Sequence, residues 1–206
     1  MKLPNSQKSN YKDGDSYTRK SREEGYRSRA SFKLKEINSK ESLLNKGMSV
    51  LDLGSFPGGW TQVSKECVGN RGKVVGVDIK EIVKINECLF IHKSIDKLTK
   101  EDFNKFEPIL PFDLVLSDMA PNISGIRERD NAQMIYLIDK TLFAIDAFLK
   151  VGGSAVIKVF QGESLDYTRE ALIDRFKKIK VFKPKSSRSN SRETYIIGKK
   201  LVKENE

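Results

Sequence analysis

At 206 residues, 38% of them hydrophobic, the chain has material for one packed domain and too little for two. Its net charge of +10 sits at the ends: residues 1–35 carry 10 Lys/Arg against 4 acids and residues 177–206 carry 10 against 3, which leaves the middle slightly acidic. Two cysteines with no C-x-x-C spacing and one histidine, His92, argue against a disulfide scaffold or a protein-ligated zinc site, and no apolar run approaches the roughly 18 residues of a membrane span. A soluble, cytosolic protein with reduced cysteines and no metal is expected. Its two basic ends suit a polyanion, because Lys and Arg gain affinity by releasing counterions from phosphates.

Residues 1–20 are poor in aliphatics and rich in Lys, Ser, Asn and Gly, and are expected to form a flexible basic arm ahead of one domain over residues 21–206. From Ser28 the apolar positions Ala30, Leu34 and Ile37, with Leu43 and Leu44, follow helical spacing. Strand-like runs follow at 48–53, 73–77, 88–91 and 112–117, separated by segments of helical character. The clearest helix spans about 130–150, where Met134, Leu137, Ile138, Leu142, Ile145, Phe148 and Leu149 make one apolar stripe that Gly152 and Gly153 are expected to end. A strand at 154–160, a helix near 164–176 and strands near 179–183 and 193–198 complete the chain. Repeated strand–helix units of this length predict a doubly wound, Rossmann-like α/β fold whose mostly parallel sheet binds ligands beyond its carboxyl ends.

The first such end is VLDLGSFPGGW, residues 50–60, a strand that breaks into a glycine-rich turn. A dinucleotide fingerprint needs glycine at three positions of G-x-G-x-x-G, and the middle one here is Phe56, so the pyrophosphate reading fails. What remains is Asp52, Gly54, Gly58, Gly59 and Trp60, with Asp78 closing the next strand 24 residues after Gly54. That layout suits S-adenosylmethionine, whose ribose hydroxyls want a carboxylate at the second strand end and whose sulfonium needs no phosphate fork.

Further along, SDMAPN (117–122) follows the fourth strand, and Lys158 lies inside the apolar strand IKVF. Charged residues in central strands are seldom buried unless paired. Alternation puts Val156, Lys158 and Phe160 on one face, aiming Lys158 at the rim, with Asp118 as the candidate partner. Lys33 in YRSRASFKL and Glu193 in SRETYIIG could join them there.

The motifs YRSRASFKL, DLGSFPGGW, SDMAPN, KVFQG and SRETYIIG, in this order and spacing over about residues 16–199, resemble those of the FtsJ (RrmJ, RlmE) ribosomal RNA 2′-O-methyltransferases. The resemblance implies a Lys-Asp-Lys-Glu catalytic tetrad at Lys33, Asp118, Lys158 and Glu193, and cofactor contacts from Gly54, Gly58, Trp60, Asp78 and Asp118. It further implies S-adenosylmethionine as methyl donor and, as target, a uridine in the A-loop of large-subunit ribosomal RNA. One position departs from the family pattern. The acid that reads the adenine amino group after strand three falls on Ser94, so either Ser94 takes that contact or Asp96 replaces it.

Lys158 is the expected general base. An exposed lysine, with a pKa of about 10.4, is too basic for that task, so either burial and Lys33 outweigh Asp118, or Asp118 is aimed mainly at the donor and at orienting Lys158. Arg27, Arg29, Lys185, Arg188 and Arg192 are expected on the RNA face, with Phe32 and Tyr195 available to stack on a splayed base. The rival readings are a 2′-O-methyltransferase of transfer RNA or cap, an enzyme of small molecules or base amines, and an idle RNA-binding module. A monomer is expected.

Overall fold

The computed structural model describes residues 16–104, 109–188 and 191–202. In chain order the elements are α1 (Ser16–Glu23), α2 (Ala30–Glu41), β1 (Ser49–Leu53), α3 (Gly59–Val68), β2 (Lys73–Asp78), β3 (Leu89–His92), α4 (Glu101–Asn104) and β4 (Phe112–Ser117). Then follow α5 (Arg127–Phe148), β5 (Leu149–Phe160), α6 (Glu163–Ile173), β6 (Phe176–Phe182) and β7 (Glu193–Leu201). One 7-stranded sheet runs in the order β3-β2-β1-β4-β5-β7-β6. The strands from β3 to β5 are parallel neighbours, whereas β7 is antiparallel to both β5 and β6. This is the expected Rossmann-like α/β sheet, and the strand order reverses at β1/β4, where such sheets open a ligand crevice.

Each face of the sheet has its own apolar layer. Leu34, Ile37, Trp60 and Val63 of α2 and α3 pack on Val50, Leu114, Val156 and Ile197. On the other face, Met134, Ile138, Ile145 and Phe148 of α5 and Leu172 of α6 cover Leu51, Val115, Ile157 and Val159. Lys158 leaves the strand on the face of Val156 and Tyr195, the side covered by α2 and α3. The alternation holds for Val156 against Ile157 and Val159, but Phe160, at the strand end, packs with the latter pair rather than on the Lys158 face.

Three local expectations change. Residues 1–15 of the anticipated arm lie outside the described residues, and Ser16–Lys20 belong to α1, whose neighbour Tyr17 stacks on Phe32 of α2 with 5.5 Å between ring centroids. The 130–150 helix stops at Phe148, because Leu149 already pairs with Phe112 of β4, and Gly152 and Gly153 lie inside β5 where its register on β4 shifts. Gly152, at φ +80°, takes up that irregularity. The α2 helix ends at Glu41, before Leu43 and Leu44, which are nonetheless buried.

Candidate active site

Four loops meet at the carboxyl rim of β1, β2, β4 and β5. After β1, Gly54 and Gly58 take φ of +70° and +114°, and an added Cβ would strike the Met119 side chain at Gly54 and Ile85 Cδ1, 2.7 Å away, at Gly58. Only glycine fits these positions, and at Gly54 this lets backbone form the floor of a cavity of about 710 Å³, while at Gly58 it lets the loop pack against Ile85 and Arg27. That cavity is lined by Gly54, Asp78, Ser94, Asp96 and Asp118, among others. Asp78 accepts the backbone N–H of Phe56 on Oδ2 (2.9 Å) and that of Lys80 on Oδ1 (2.8 Å), so it ties the two loops together while keeping lone pairs toward the cavity.

Beneath this floor Asp52 is buried. The Thr61 hydroxyl donates to its Oδ2 at 2.6 Å, and its Oδ1 has no hydrogen-bond partner among the described residues. Burial pushes its carboxyl up to about 7; the Thr61 bond opposes this, and Asp118 and Asp78 add to it. The carboxylates of Asp78 and Asp118 line the cavity, and a cationic ligand gains affinity beside them. The cradle, the strand-end acid Asp78 and this negative field fit a nucleoside carrying a cationic tail.

Beside the cavity lies a second group of charges. Lys158 Nζ donates to the Asp118 backbone carbonyl (2.8 Å) and lies 2.9 Å from Asp118 Oδ1 and 3.5 Å from Glu193 Oε1. Lys33 Nζ is 2.9 Å from Glu193 Oε2. The antiparallel course of β7 makes this possible, since Glu193 pairs with Phe160 and Tyr195 with Lys158, bringing the start of β7 to the rim where β5 ends. Burial pulls the Lys158 pKa down, but Asp118 and Glu193 outweigh it and the ammonium is held above its ordinary value. Glu193 goes the other way: burial opposes ionisation, yet Lys158, Lys33 and hydrogen bonds hold its carboxyl down at about 2. The four tetrad residues are therefore contiguous, and their mutual contacts hold Lys158 as an ammonium and Glu193 as a carboxylate.

Several expected contacts fall elsewhere. Tyr195 is fully buried, stacks on Trp60 with 5.6 Å between centroids, and donates its hydroxyl to Asp118 Oδ1 at 2.6 Å. It orients the acid and has no face for a base. Phe32 is likewise core, packed between Tyr17 and Tyr26. The Trp60 indole is occupied too, donating to the Ala30 carbonyl at 2.8 Å and so joining α3 to α2, and Trp60 does not line the larger cavity. Arg27 spends its guanidinium on the carbonyls of Pro57, Val83 and Lys84, bracing the cofactor loop rather than facing RNA. His92 bonds the Ile79 carbonyl at 2.9 Å, a turn contact.

Arg29 and Arg188 do share a surface, a cavity of about 340 Å³ with Lys33, Ser191 and Glu193 on its walls. Lys185 is exposed on the β6–β7 connection, and the Arg192 guanidinium lies over the Phe160 ring, 5.3 Å from its centroid. Ser94 and Asp96 both line the larger cavity, and the Ser94 hydroxyl donates to Asp96 Oδ1, leaving that carboxylate exposed. Sequence reasoning passed over two braces. One is Thr61 beneath Asp52, and the other is Asp130, which accepts both the N–H and the hydroxyl of Ser124 (2.8 and 2.7 Å) and closes the loop after Asp118. A buried acid beside a Ser-x-x-x-x-x-Asp loop is the only signal that could have shown the latter. Among the described residues no group of His, Cys, Asp and Glu is placed to hold a metal, and no helix is long and apolar enough to cross a membrane.

Comparison with known proteins places the chain in a family. Residues 26–201 match the family model described as FtsJ-like methyltransferase. The chain is 41% identical over 194 residues to the ribosomal RNA large subunit methyltransferase E of Pseudomonas aeruginosa PAO1, covering 90% of each chain. To the protein of that name from Methanosarcina barkeri it is 44% identical over 189 residues, covering 91% of this chain and 71% of the other. Among solved structures, a ribosomal RNA methyltransferase from Plasmodium falciparum superposes with a TM-score of 0.78 at 28% identity, over 86% of this chain and 99% of that one. Aeropyrum pernix fibrillarin, solved with S-adenosylmethionine, shares the fold at a TM-score of 0.56 and 16% identity, over 82% of this chain and 73% of that one.

Proposed function

The chain belongs to the FtsJ-like methyltransferase family, and on that premise we propose that it methylates a ribose 2′-hydroxyl of large-subunit ribosomal RNA, a uridine of the A-loop, with Lys158 as the base. The methyl donor is S-adenosylmethionine, which when bound supplies an electrophilic methyl on a sulfonium. The observation that carries the reading is the position of Lys158. It sits between the glycine-floored cavity, which Asp118 also lines, and the basic cavity walled by Lys33 and Glu193.

In this reading Gly54 gives the donor its backbone floor, Asp78 accepts the donor's ribose hydroxyls, and the Ser94–Asp96 pair faces its adenine edge. Asp118, oriented by Tyr195, lies at the donor's cationic end. Lys33 and Glu193 hold the target nucleotide so that oxygen, methyl and sulfur lie in line. Lys158 rests as an ammonium and must lose a proton before it can accept one. A cationic donor beside Asp118 would weaken the carboxylate's hold on the Lys158 proton, which would pass to solvent water and leave the neutral amine. That amine takes the 2′-hydroxyl proton as the oxygen gains the methyl group, and Lys158 ends as an ammonium again. We read the protein as a cytoplasmic monomer.

The test is Lys158→Ala under single-turnover conditions with large subunits as substrate. Methyl transfer should be lost while S-adenosylhomocysteine affinity stays near normal, because the base acts in the transition state. A near-normal rate removes Lys158 from the base role.

A further inference from the structure

The basic cavity draws its cations from two separate parts of the chain: Arg29 and Lys33 from the start of α2, and Arg188 from the connection between β6 and β7. Bringing Arg188 to Arg29 is unfavourable. Burial lowers the Arg29 pKa and Arg188 lowers it further, with Glu193 opposing. Something must hold the connection in place. Glu36, one turn beyond Lys33 on α2, accepts the backbone N–H of Lys185 on Oε2 (2.7 Å) and that of Ser186 on Oε1 (2.9 Å). Arg29 donates to the Ser186 carbonyl from the same helix, so α2 grips Ser186 by both its N–H and its C=O. Ser186 is fully buried in consequence.

We propose that Glu36 is the positioning residue of a phosphodiester-binding pocket, holding Arg188 beside Arg29 and Lys33 before RNA arrives. The proposal rests on the RNA reading above. A ribose carries its 3′-phosphate on the carbon next to the one bearing the 2′-oxygen. A nucleotide whose 2′-oxygen reaches Lys158 therefore brings a phosphate toward Lys33 and this cavity, where an anion relieves the repulsion between the two guanidinium groups. Glu36 is itself an anion and accepts hydrogen bonds only, so it cannot bind the phosphate. As a charge it opposes RNA binding, and as a brace it promotes it. The two roles predict opposite signs for its removal.

The experiment measures affinity for a short oligouridylate against salt, using the full chain as wild type, Glu36→Ala, Glu36→Gln, Arg188→Gln and the Glu36→Ala/Arg188→Gln double variant. S-adenosylhomocysteine affinity reports on the fold. Glu36→Ala should weaken RNA binding about tenfold and flatten the plot of log affinity against log salt by about 0.7, one phosphate contact. Glu36→Gln, which keeps one acceptor oxygen, should fall between it and wild type. The double variant should match Arg188→Gln alone, because both changes remove the same contact. RNA binding by Glu36→Ala that is unchanged or tighter, while Arg188→Gln is weakened, overturns the brace and leaves the RNA reading standing. A wild type with no salt-dependent RNA affinity overturns both.

Discussion

Replacing Glu193 by Gln tests the charge state of the tetrad. The carboxylate lies 2.9 Å from Lys33 and 3.5 Å from Lys158 with its side chain 24% exposed, and its pKa falls from 4.5 to about 2. Because the folded value is the lower one, this group adds stability above pH 4.5 and loses it as the pH falls through 2. A drop of that size corresponds to about 3 kcal/mol. The amide keeps the shape and an acceptor oxygen but not the charge. Urea unfolding of wild type and Glu193→Gln should therefore differ by about 3 kcal/mol at pH 7, and the difference should shrink toward zero between pH 4.5 and 2. Taking the difference cancels the other carboxylates, which titrate alike in both proteins. A difference that does not vary with pH would refute the reasoning, since it would mean that Glu193 acts through packing and not through its charge between two lysines.

Asp78→Ala should weaken S-adenosylhomocysteine binding by about 1.5–3 kcal/mol by calorimetry, through loss of the ribose acceptor and of its bonds to Phe56 and Lys80; an unchanged dissociation constant would place the ribose elsewhere. Asp96→Ala should lose donor affinity and Ser94→Ala lose less, because Ser94 only orients the carboxylate; equal, normal binding in both would leave adenine to backbone and apolar contacts. Asp52, with its pKa raised to about 7, makes the folded state hold an extra proton, so the contribution of this group to stability is most favourable below pH 4 and falls as the pH rises to 7. Asp52→Asn should flatten that decline and gain up to about 4 kcal/mol at pH 8 in urea unfolding; parallel curves for the two proteins would contradict the shift.

The sheet was legible because strands 48–53, 73–77 and 112–117 are predominantly apolar runs without a clean polar face, of the kind that parallel sheets bury on both faces. Lys158 stood out for the same reason, as a charge in such a run, and it is buried as its surroundings required. What could not be read was which side chains meet across long stretches of chain. Tyr195 and Asp118 are 77 residues apart, and until β7 was seen to run antiparallel beside β5 nothing distinguished a buried phenol from an exposed stacking face. Arg27 looked like an RNA contact because basic residues near a site usually face solvent; the carbonyls that consume it lie on loops whose approach depends on the tertiary fold. Glu36 carried no signal at all, since an acid in the middle of an amphipathic helix reads as a solvated face. The end of α5 was misplaced because the pairing of Leu149 with Phe112 overrides a helical pattern that continues through it.

The proposed methylation of a ribose oxygen in large-subunit ribosomal RNA is tested most directly by incubating undermethylated large subunits, and separately transfer RNA, with the protein and methyl-labelled S-adenosylmethionine, then mapping the modified nucleotide. Label is expected on one 2′-oxygen, on an A-loop uridine, with the adjoining phosphodiester made resistant to alkali. Label on a base, or on transfer RNA with the subunits left unmodified, would contradict it.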